Sequence, residues 1–378
     1  TMHILPLHEP VVIGKLLNLK ATDYVVEDHN GAQLMNLAGG GTMNPLVERR
    51  PFDDTKDWNG KSILIVRAGG FGDIVLMTPI FRELKRRWPT CRVSVACMQV
   101  YGVVLQHLPF VDECVGYPLE AEKLGAFDAW IFFEKAIEKN PKAEKLHMTD
   151  LFADIAGLDK REGLAADGGH PALDDKKAAY AVTPNETIWV LEQYPSTPGK
   201  RRVAVQPGAS APVRMYPANQ WVEVMKQMHA RGWEVFILGA KDEVEGIKNE
   251  DGLFNLTLVT TTFRQSCAVI NTADVFIGND SALLHIAGAL GIPAVGLYGP
   301  FLSKLRTEYA ETTFAIQATG PCAPCFHHMN PGLRNFFPKD CPSKDKGICQ
   351  VLASIDPKRI IGKAEQIAKK PFELVALE

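Results

Sequence analysis

Between Val275 and Pro300 the chain reads V-F-I-G-N-D-S-A-L-L-H-I-A-G-A-L-G-I-P-A-V-G-L-Y-G-P. This stretch constrains the fold most, because its punctuation allows one order of elements: strand, turn, helix, turn, strand. Val275-Phe276-Ile277 is an unbroken apolar run, as in a strand covered on both faces. Gly278 to Ser281 combine turn residues with a helix N-cap signal, and the helix is expected from about Ala282 to Leu290. Gly291 ends that helix and Pro293 keeps it from restarting. Ala294 to Leu297 is the next strand, and Gly299-Pro300 turns away from it.

A helix that starts at the end of a buried strand points unpaired N–H groups and a positive dipole end at the loop, which suits phosphate oxygens. Ser281 adds a hydroxyl there, and His285, four residues on, lies on the same helix face. Gly288 continues that face without a side chain, leaving room for a ligand or a packed element. A capped helix with a hydrogen-bonded core histidine accounts for the same residues, so the rest of the chain must decide.

The 378 residues suffice for two domains, each with its own core. A formal net charge of −3 gives no argument for nucleic-acid binding. No apolar run is long enough to span a bilayer and no signal peptide is read, so a cytoplasmic protein is expected. Cys91, Cys97, Cys114 and Cys267 sit in apolar or strand-like surroundings and read as buried free thiols.

Residues 1–55 differ from the remainder. His3-Ile4-Leu5, Val11-Val12-Ile13 and Tyr24-Val25-Val26 have strand character, whereas Gly39-Gly40-Gly41 and Pro45 break the segment. It reads as a small β-rich or irregular extension: a contact in a homo-oligomer, an acceptor-docking surface or a passive arm. Ser62 to Val66 is then a buried strand that runs into Arg67-Ala-Gly-Gly-Phe-Gly-Asp73. A dinucleotide site would place a carboxylate at the end of the second strand. That strand, Arg92 to Cys97, is followed by Met98-Gln99, so the glycines instead permit close approach of backbone to a ligand and leave Asp73 at the mouth of a cleft. A tight strand-to-helix turn capped by Asp73 is the simpler alternative.

The segment Ile74 to Trp88 is helical in pattern, with Ile80, Phe81, Leu84 and Trp88 inward and Arg82, Glu83, Lys85, Arg86 and Arg87 toward water. Pro79 starts or kinks it. Val103–Leu108, Glu113–Tyr117 and Ala129–Phe133 continue the strand–helix alternation, and a helix near Thr149 to Ala156 turns Leu151, Phe152 and Ile155 inward. Asp167 to Lys177 reads as an exposed connection, Glu186 to Tyr194 as a helix and Pro195 to Lys200 as the linker. A second αβ set follows: strands at Val203–Val205, Glu234–Leu238 and Leu256–Val259, a helix at Trp221–Ala230, the opening stretch, and a final helix at Asp356–Lys369. The expected domains are therefore 1–55, 56–195, 196–355 and a helix with tail at 356–378.

Three of these stretches resemble the signatures of the heptosyltransferases, glycosyltransferase family 9. They are Ile63 to Pro79, Gln206-Pro-Gly-Ala-Ser210 with Arg214 and Tyr216-Pro217, and Gly278 to His285 with Gly299-Pro300. They lie in the family's order and cover about residues 60 to 355. The resemblance implies an α/β protein of GT-B fold, two Rossmann-like domains facing across a cleft, and an inverting transfer of a sugar from a nucleotide diphosphate donor to an acceptor hydroxyl. It favours ADP-heptose, and a lipopolysaccharide-type saccharide or a protein hydroxyl as acceptor. Asp73 matches the family's proposed general base, with Arg67, Gly70 and Gly72 on the acceptor side. Ser210, Arg214, Asp280, Ser281, Ala282 and His285 match its donor-binding turns. Arg214 stands where the family usually has Lys, and Ser281-Ala282 where it has Thr-Gly. Glu243 matches an acidic residue near the donor ribose, though a helix-start carboxylate explains it too. No catalytic metal is implied, because GT-B enzymes stabilise the leaving group with helix dipoles and cations.

Cys322-Ala-Pro-Cys325, Cys341 and Cys349 fit a four-thiolate site for structural zinc or iron in a loop spanning 320–350. His327 and His328 are substitute ligands or, more simply, solvent-facing. Some members of the family that glycosylate autotransporters carry an iron-binding cysteine finger. Two other readings remain: a sugar-nucleotide epimerase of the same architecture, which converts donor without acceptor, and a non-catalytic binding or assembly protein. The joint presence of Asp73, Arg214, Asp280 and His285 speaks against the latter.

Overall fold

The computed structural model describes residues 3–6, 24–27, 34–36, 52–134, 136–137, 140–158, 173–239, 249–257, 262–326, 337 and 340–368. The chain forms two compact units, Thr1–Ala179 and Tyr180–Glu378.

The strands of the first unit are β1 (His3–Pro6), β2 (Tyr24–Glu27), β3 (Leu34–Asn36), β4 (Ser62–Val66), β5 (Arg92–Cys97), β6 (Glu113–Gly116), β7 (Leu119–Glu120) and β8 (Ala129–Phe132). The central sheet is parallel, in the order β6-β5-β4-β8. A second sheet, β3-β2-β1-β7, ties the extension to the first unit through an antiparallel pairing of β1 with β7. Strands at His3–Leu5 and Tyr24–Val26 agree with the sequence reading. β3 was not expected, since Leu-Met-Asn is too short to show alternation, and Val11–Ile13 lies outside the described residues.

The Phe71–Arg87 helix carries Pro79 inside it, neither starting nor ending there. Thr78 explains the tolerance: its Oγ1 donates to Val75 O at 2.7 Å, occupying the carbonyl that Pro79, with no N–H, leaves without a helical partner. Ile80, Phe81, Leu84 and Trp88 are buried as expected, but Glu83 and Arg87 do not face water. Both are covered, Arg87 Nε donates to Glu83 Oε1 at 2.7 Å, and Arg87 Nη2 reaches Leu158 O at 3.0 Å. The stripe is wider than the apolar residues alone indicate, because an ion pair completes it. Two further expectations change. Ile155 is exposed, at the end of the Met148–Ile155 helix, and Gln99–Val104 is a 3₁₀ turn where strand character was read nearby. Cys91, Cys97 and Cys267 are buried free thiols, whereas Cys114 is exposed because β6 is an edge strand.

The second unit is one parallel sheet of β9 (Arg202–Gln206), β10 (Glu234–Ile237), β11 (Leu253–Asn255), β12 (Val275–Asn279), β13 (Ala294–Tyr298) and β14 (Thr313–Gln317). Its order is β11-β10-β9-β12-β13-β14, the doubly wound pattern with its reversal between β9 and β12. Helices cover both faces. Trp221, Val224, Met225 and Met228 of the Ala218–Ala230 helix join Ile360, Ile361 and Ala364 of the Pro357–Ile367 helix in one core cluster. Removing Trp221 from that cluster would be among the costliest single changes to the fold, about 3–5 kcal/mol for Trp→Ala.

β11 lies a few residues before the expected Leu256–Val259, since Asn255 ends the strand by accepting from the backbone N–H and hydroxyl of Thr257. The units divide near Ala179, earlier than the linker expected at 195–200. The Pro184–Gln193 helix packs on the Phe263–Asn271 helix, and Arg264 binds Glu186 bidentately at 2.5 and 2.7 Å. Tyr194 then stacks edge-on against Phe236 and Phe254. These contacts bind 184–194 to the second unit before the Pro/Gly stretch is reached. Among the described residues no helix is long and apolar enough to cross a membrane.

Candidate functional site

In each unit the residues singled out by sequence gather at strand C-terminal ends beside the sheet's reversal, where open α/β sheets bind ligands. In the first unit that point lies between β4 and β8. Gly70 has φ +88°, and a Cβ there would stand 2.8 Å from Asp73 Oδ2, so glycine both permits the turn and clears the carboxylate. Asp73 lies in the first turn of the Phe71–Arg87 helix with its side chain 26% exposed. Arg67, expected on the acceptor side, is engaged within the protein. Its Nε donates to Asp73 Oδ2 at 3.2 Å, its Nη2 binds the same oxygen, and its Nη1 donates to Phe133 O at 2.9 Å. Arg67 therefore orients Asp73 and joins the β4 turn to the end of β8. Glu134, absent from the sequence reading, accepts from the Ala68 N–H and anchors the same turn. Arg67, Gly70, Gly72 and Asp73 thus form one local cluster.

In the second unit the reversal lies between β9 and β12, and the turns after those strands carry Ser210, Arg214, Asp280, Ser281, Ala282 and His285. Buried Asn279 holds the two turns together: Nδ2 donates to Pro207 O at 2.6 Å and Oδ1 accepts from Tyr216 N–H at 3.3 Å. Arg214 Nη1 donates to the Asp280 carbonyl at 3.3 Å, while Nη2 donates to the Ser210 hydroxyl. Ser281 does not offer its hydroxyl to a ligand or to the helix; it binds Gln206 Oε1. The Ala282–Ala289 helix therefore begins without a side-chain cap bond, its first N–H groups directed at the turn. Gly288 makes room for a packed element: a Cβ there would stand 2.9 Å from Ala310 Cβ. Glu243 lies outside the described residues.

Asp280 is the buried charge at the centre. His285 Nε2 is 3.6 Å from Oδ1 and Arg214 Nη1 is 3.9 Å from Oδ2. Burial pushes this carboxyl up, but His285, Arg214 and Arg306 together outweigh it and hold the group at about 2. Arg306, also buried, lies over the Phe301 ring with Cζ 5.0 Å from its centroid. Tyr298 ends β13 beside this carboxylate, and its phenol is pushed far up, first by burial and then by the Asp280 charge. Gln206 and Asn279 entered the sequence analysis only as motif positions without a role, and Tyr298 and Arg306 were given none. Gln206, Asn279 and Tyr298 end strands, a signal that could have found them.

The cysteine loop is fastened to the same end of the sheet. Cys325 N–H and Phe326 N–H donate to Pro300 O at 3.0 and 2.8 Å. Cys322 packs against the cluster that contains Cys349. Burial raises the Cys349 thiol, and Cys341 and Cys322 nearby raise it further. Cys322 and Cys341 thus lie near enough to Cys349 to act on its thiol. Among the described residues, however, no three metal-binding side chains converge as a coordination group.

Glycosyltransferase family 9 (heptosyltransferase) matches residues 128–333, more than half of the chain. The chain belongs to that family. This family 9 glycosyltransferase is 24% identical over 295 residues to lipopolysaccharide heptosyltransferase 2 of Salmonella typhimurium, covering 63% of this chain and 82% of that protein. Its fold is similar to that of E. coli ADP-heptose LPS heptosyltransferase II (TM-score 0.54, 20% identity, 81% of this chain and 98% of that one). It is also similar to the iron-containing dodecameric glycosyltransferase TibC of enterotoxigenic E. coli (TM-score 0.56, 14% identity, 89% of this chain and 81% of that one). The fold of this family 9 glycosyltransferase is accordingly GT-B, with one Rossmann-like sheet in each unit.

Proposed function

We propose that this glycosyltransferase moves a heptose from an ADP-activated donor to an acceptor hydroxyl with inversion, in the cytoplasm. The observation that carries the reading is the cluster of buried Asp280 and His285 with the partly exposed Arg214 at the reversal of the second sheet, beside an uncapped helix start. A diphosphate there would meet the Arg214 guanidinium, the Ser210 hydroxyl and the backbone N–H groups of the first helical turn. Ser281 and Ala282 contribute through backbone, Asp280 and His285 by holding the turn, and Glu243 by contact with the ribose. In the reaction, Asp73 takes the proton of the acceptor hydroxyl. That oxygen attacks the anomeric carbon, and the bond to the diphosphate oxygen breaks. Arg214 and the helix dipole balance the charge left on the diphosphate. The names of the relatives favour a lipopolysaccharide-type acceptor, and the TibC likeness keeps a protein hydroxyl and a homo-oligomeric assembly in view.

The test is a thermal-shift panel of ADP-, UDP-, GDP- and dTDP-sugars against the wild type and Ser281→Trp. The expected result is stabilisation by the ADP-sugar that the Trp variant lacks, since its indole would fill the turn. At a ligand concentration a hundredfold above Kd, stabilisation amounts to about 2.7 kcal/mol. A flat panel with a well-folded protein would sink the donor reading.

A structural zinc or iron held by Cys322, Cys325, Cys341 and Cys349 forms part of the proposal. When bound, the ion would fasten the 320–350 loop and take no part in transfer. Elemental analysis after anaerobic purification is expected to find about one ion per chain, and Cys322→Ser to lower the melting temperature before it lowers transfer. Metal-free wild-type protein would exclude the ion.

A further inference from the structure

Two cysteines that the transfer reaction does not use meet in the first unit. The parallel register of β5 with β6 pairs Val95 with Cys114 and Cys97 with Gly116. Residues two apart on a strand share a face, so Cys97 lies on the same side of the sheet as Cys114. Their sulfurs are 3.7 Å apart. The 3₁₀ turn after β5 leaves space for this contact: a Cβ at Gly102 would stand 2.7 Å from Cys114 Sγ, where any side chain would press on the sulfur. The two surroundings differ. Cys97 is fully buried, whereas Cys114 is exposed on the edge strand.

The two thiols are unequal in acidity as well. The hydrogen bond with Cys97 lowers the Cys114 thiol, against burial and the Glu113 charge. Cys97 is pushed far up, first by the same bond and then by burial. An exposed, more acidic thiol in contact with a buried partner is the arrangement of an attacking and a resolving cysteine. We propose that Cys114 and Cys97 form a reversible redox-modification site whose oxidant is a peroxide. The Cys114 thiolate attacks one peroxide oxygen, the O–O bond breaks, and hydroxide leaves and takes a proton to become water. Cys114 is thereby oxidised to the sulfenic acid and the peroxide is reduced. Cys97 gives up its proton and attacks the Cys114 sulfur, an S–S bond forms, and the sulfenic oxygen leaves as a second water. In sum, two thiols and one hydrogen peroxide give one disulfide and two waters, and a dithiol reductant reverses the change. The sulfurs must approach to about 2 Å for this bond. Among the described residues β6 is hydrogen-bonded into the sheet through β5 alone, so it is the strand able to make up the difference.

The experiment treats the reduced full chain with hydrogen peroxide, alkylates the remaining thiols and maps the cysteines by mass spectrometry, for wild type, Cys114→Ser and Cys97→Ser. In the wild type the thiols at 97 and 114 are expected to be lost together, as one intrachain cross-link that dithiothreitol removes. Cys114→Ser is expected to keep the Cys97 thiol. Cys97→Ser is expected to stop at the sulfenic acid on Cys114, which dimedone traps. The wild-type map decides by itself if the buried Cys97→Ser fails to fold. Cys114 still alkylated after other cysteines have oxidised would overturn the inference. Sulfinic acid on Cys114 beside a free Cys97, or a Cys114–Cys114 link between chains, would overturn it as well, because Cys97 would then not be the resolving thiol.

Discussion

Asp73→Asn is expected to lower transfer by about 10²–10⁴-fold, the range for loss of a general base. The substitution keeps the shape of the side chain and removes only its ability to take a proton. Arg67 would still find an acceptor in the amide oxygen and would keep its bond to Phe133 O, so the turn after β4 should hold its form. ADP binding should be unchanged, because the diphosphate contacts proposed above lie on the second unit. The measurement is turnover with donor and acceptor, paired with calorimetric ADP titration of the same preparation. Turnover within threefold of wild type would remove Asp73 from the chemistry. Loss of turnover together with loss of ADP binding would point to damage beyond the proton transfer.

Asp280→Asn carries the largest expected stability effect. The carboxylate is buried and faces His285 Nε2 at 3.6 Å and Arg214 Nη1 at 3.9 Å, and taking the charge out of such a buried cluster typically costs about 3–5 kcal/mol. The pH dependence gives this a distinct signature. A carboxyl held at about 2 in the folded protein, against about 3.9 unfolded, contributes stability that is fully present above pH 4. It is lost as pH falls from about 4 to 2, since protonation then favours the unfolded chain. The contribution is about 2.6 kcal/mol. Chemical denaturation of wild type and Asp280→Asn across that range should therefore converge: a large gap at neutral pH and a small one near pH 2. A gap constant with pH would show that the charge does not stabilise the fold. ADP affinity of the variant should fall as well, because Arg214 is held in part by the turn that Asp280 begins.

Much of this protein was legible locally. The strand–turn–helix–turn–strand at 275–300 appears with its elements within a few residues of expectation, because Gly, Asn, Asp and Pro act on their immediate neighbours and need no distant partner. The glycines before Asp73 are another such case: Gly70 adopts the positive φ its position in the turn requires. Ordered motifs carried the family, since each lies at a strand end and their spacing follows from βα units of ordinary length. The inward stripe of the Phe71–Arg87 helix was also visible, up to the point where Glu83 and Arg87 joined it. Periodicity classes those residues as polar, and only the neighbours at Leu158 and Asp54 decide that they are buried.

The roles of individual side chains were less accessible. Ser281 looked like a ligand hydroxyl, and it is bonded to Gln206, 75 positions earlier. Arg67 was expected on the acceptor side, and it is a clamp on Asp73 and Phe133. Arg306 gave no signal, although its charge acts on the central carboxylate. By itself the sequence determined the strand–helix alternation of the two Rossmann-like units, the family and the turns that bear the chemistry, all of which follow from propensities and punctuation acting over a few residues; it did not show β3 or β14, nor the sheet that β1, β2, β3 and β7 form. Only the tertiary structure decided which polar groups meet. Hydrogen bonds and buried ion pairs are made at about 3 Å between strand ends far apart in the chain, and no local rule records which of them the fold brings within that reach.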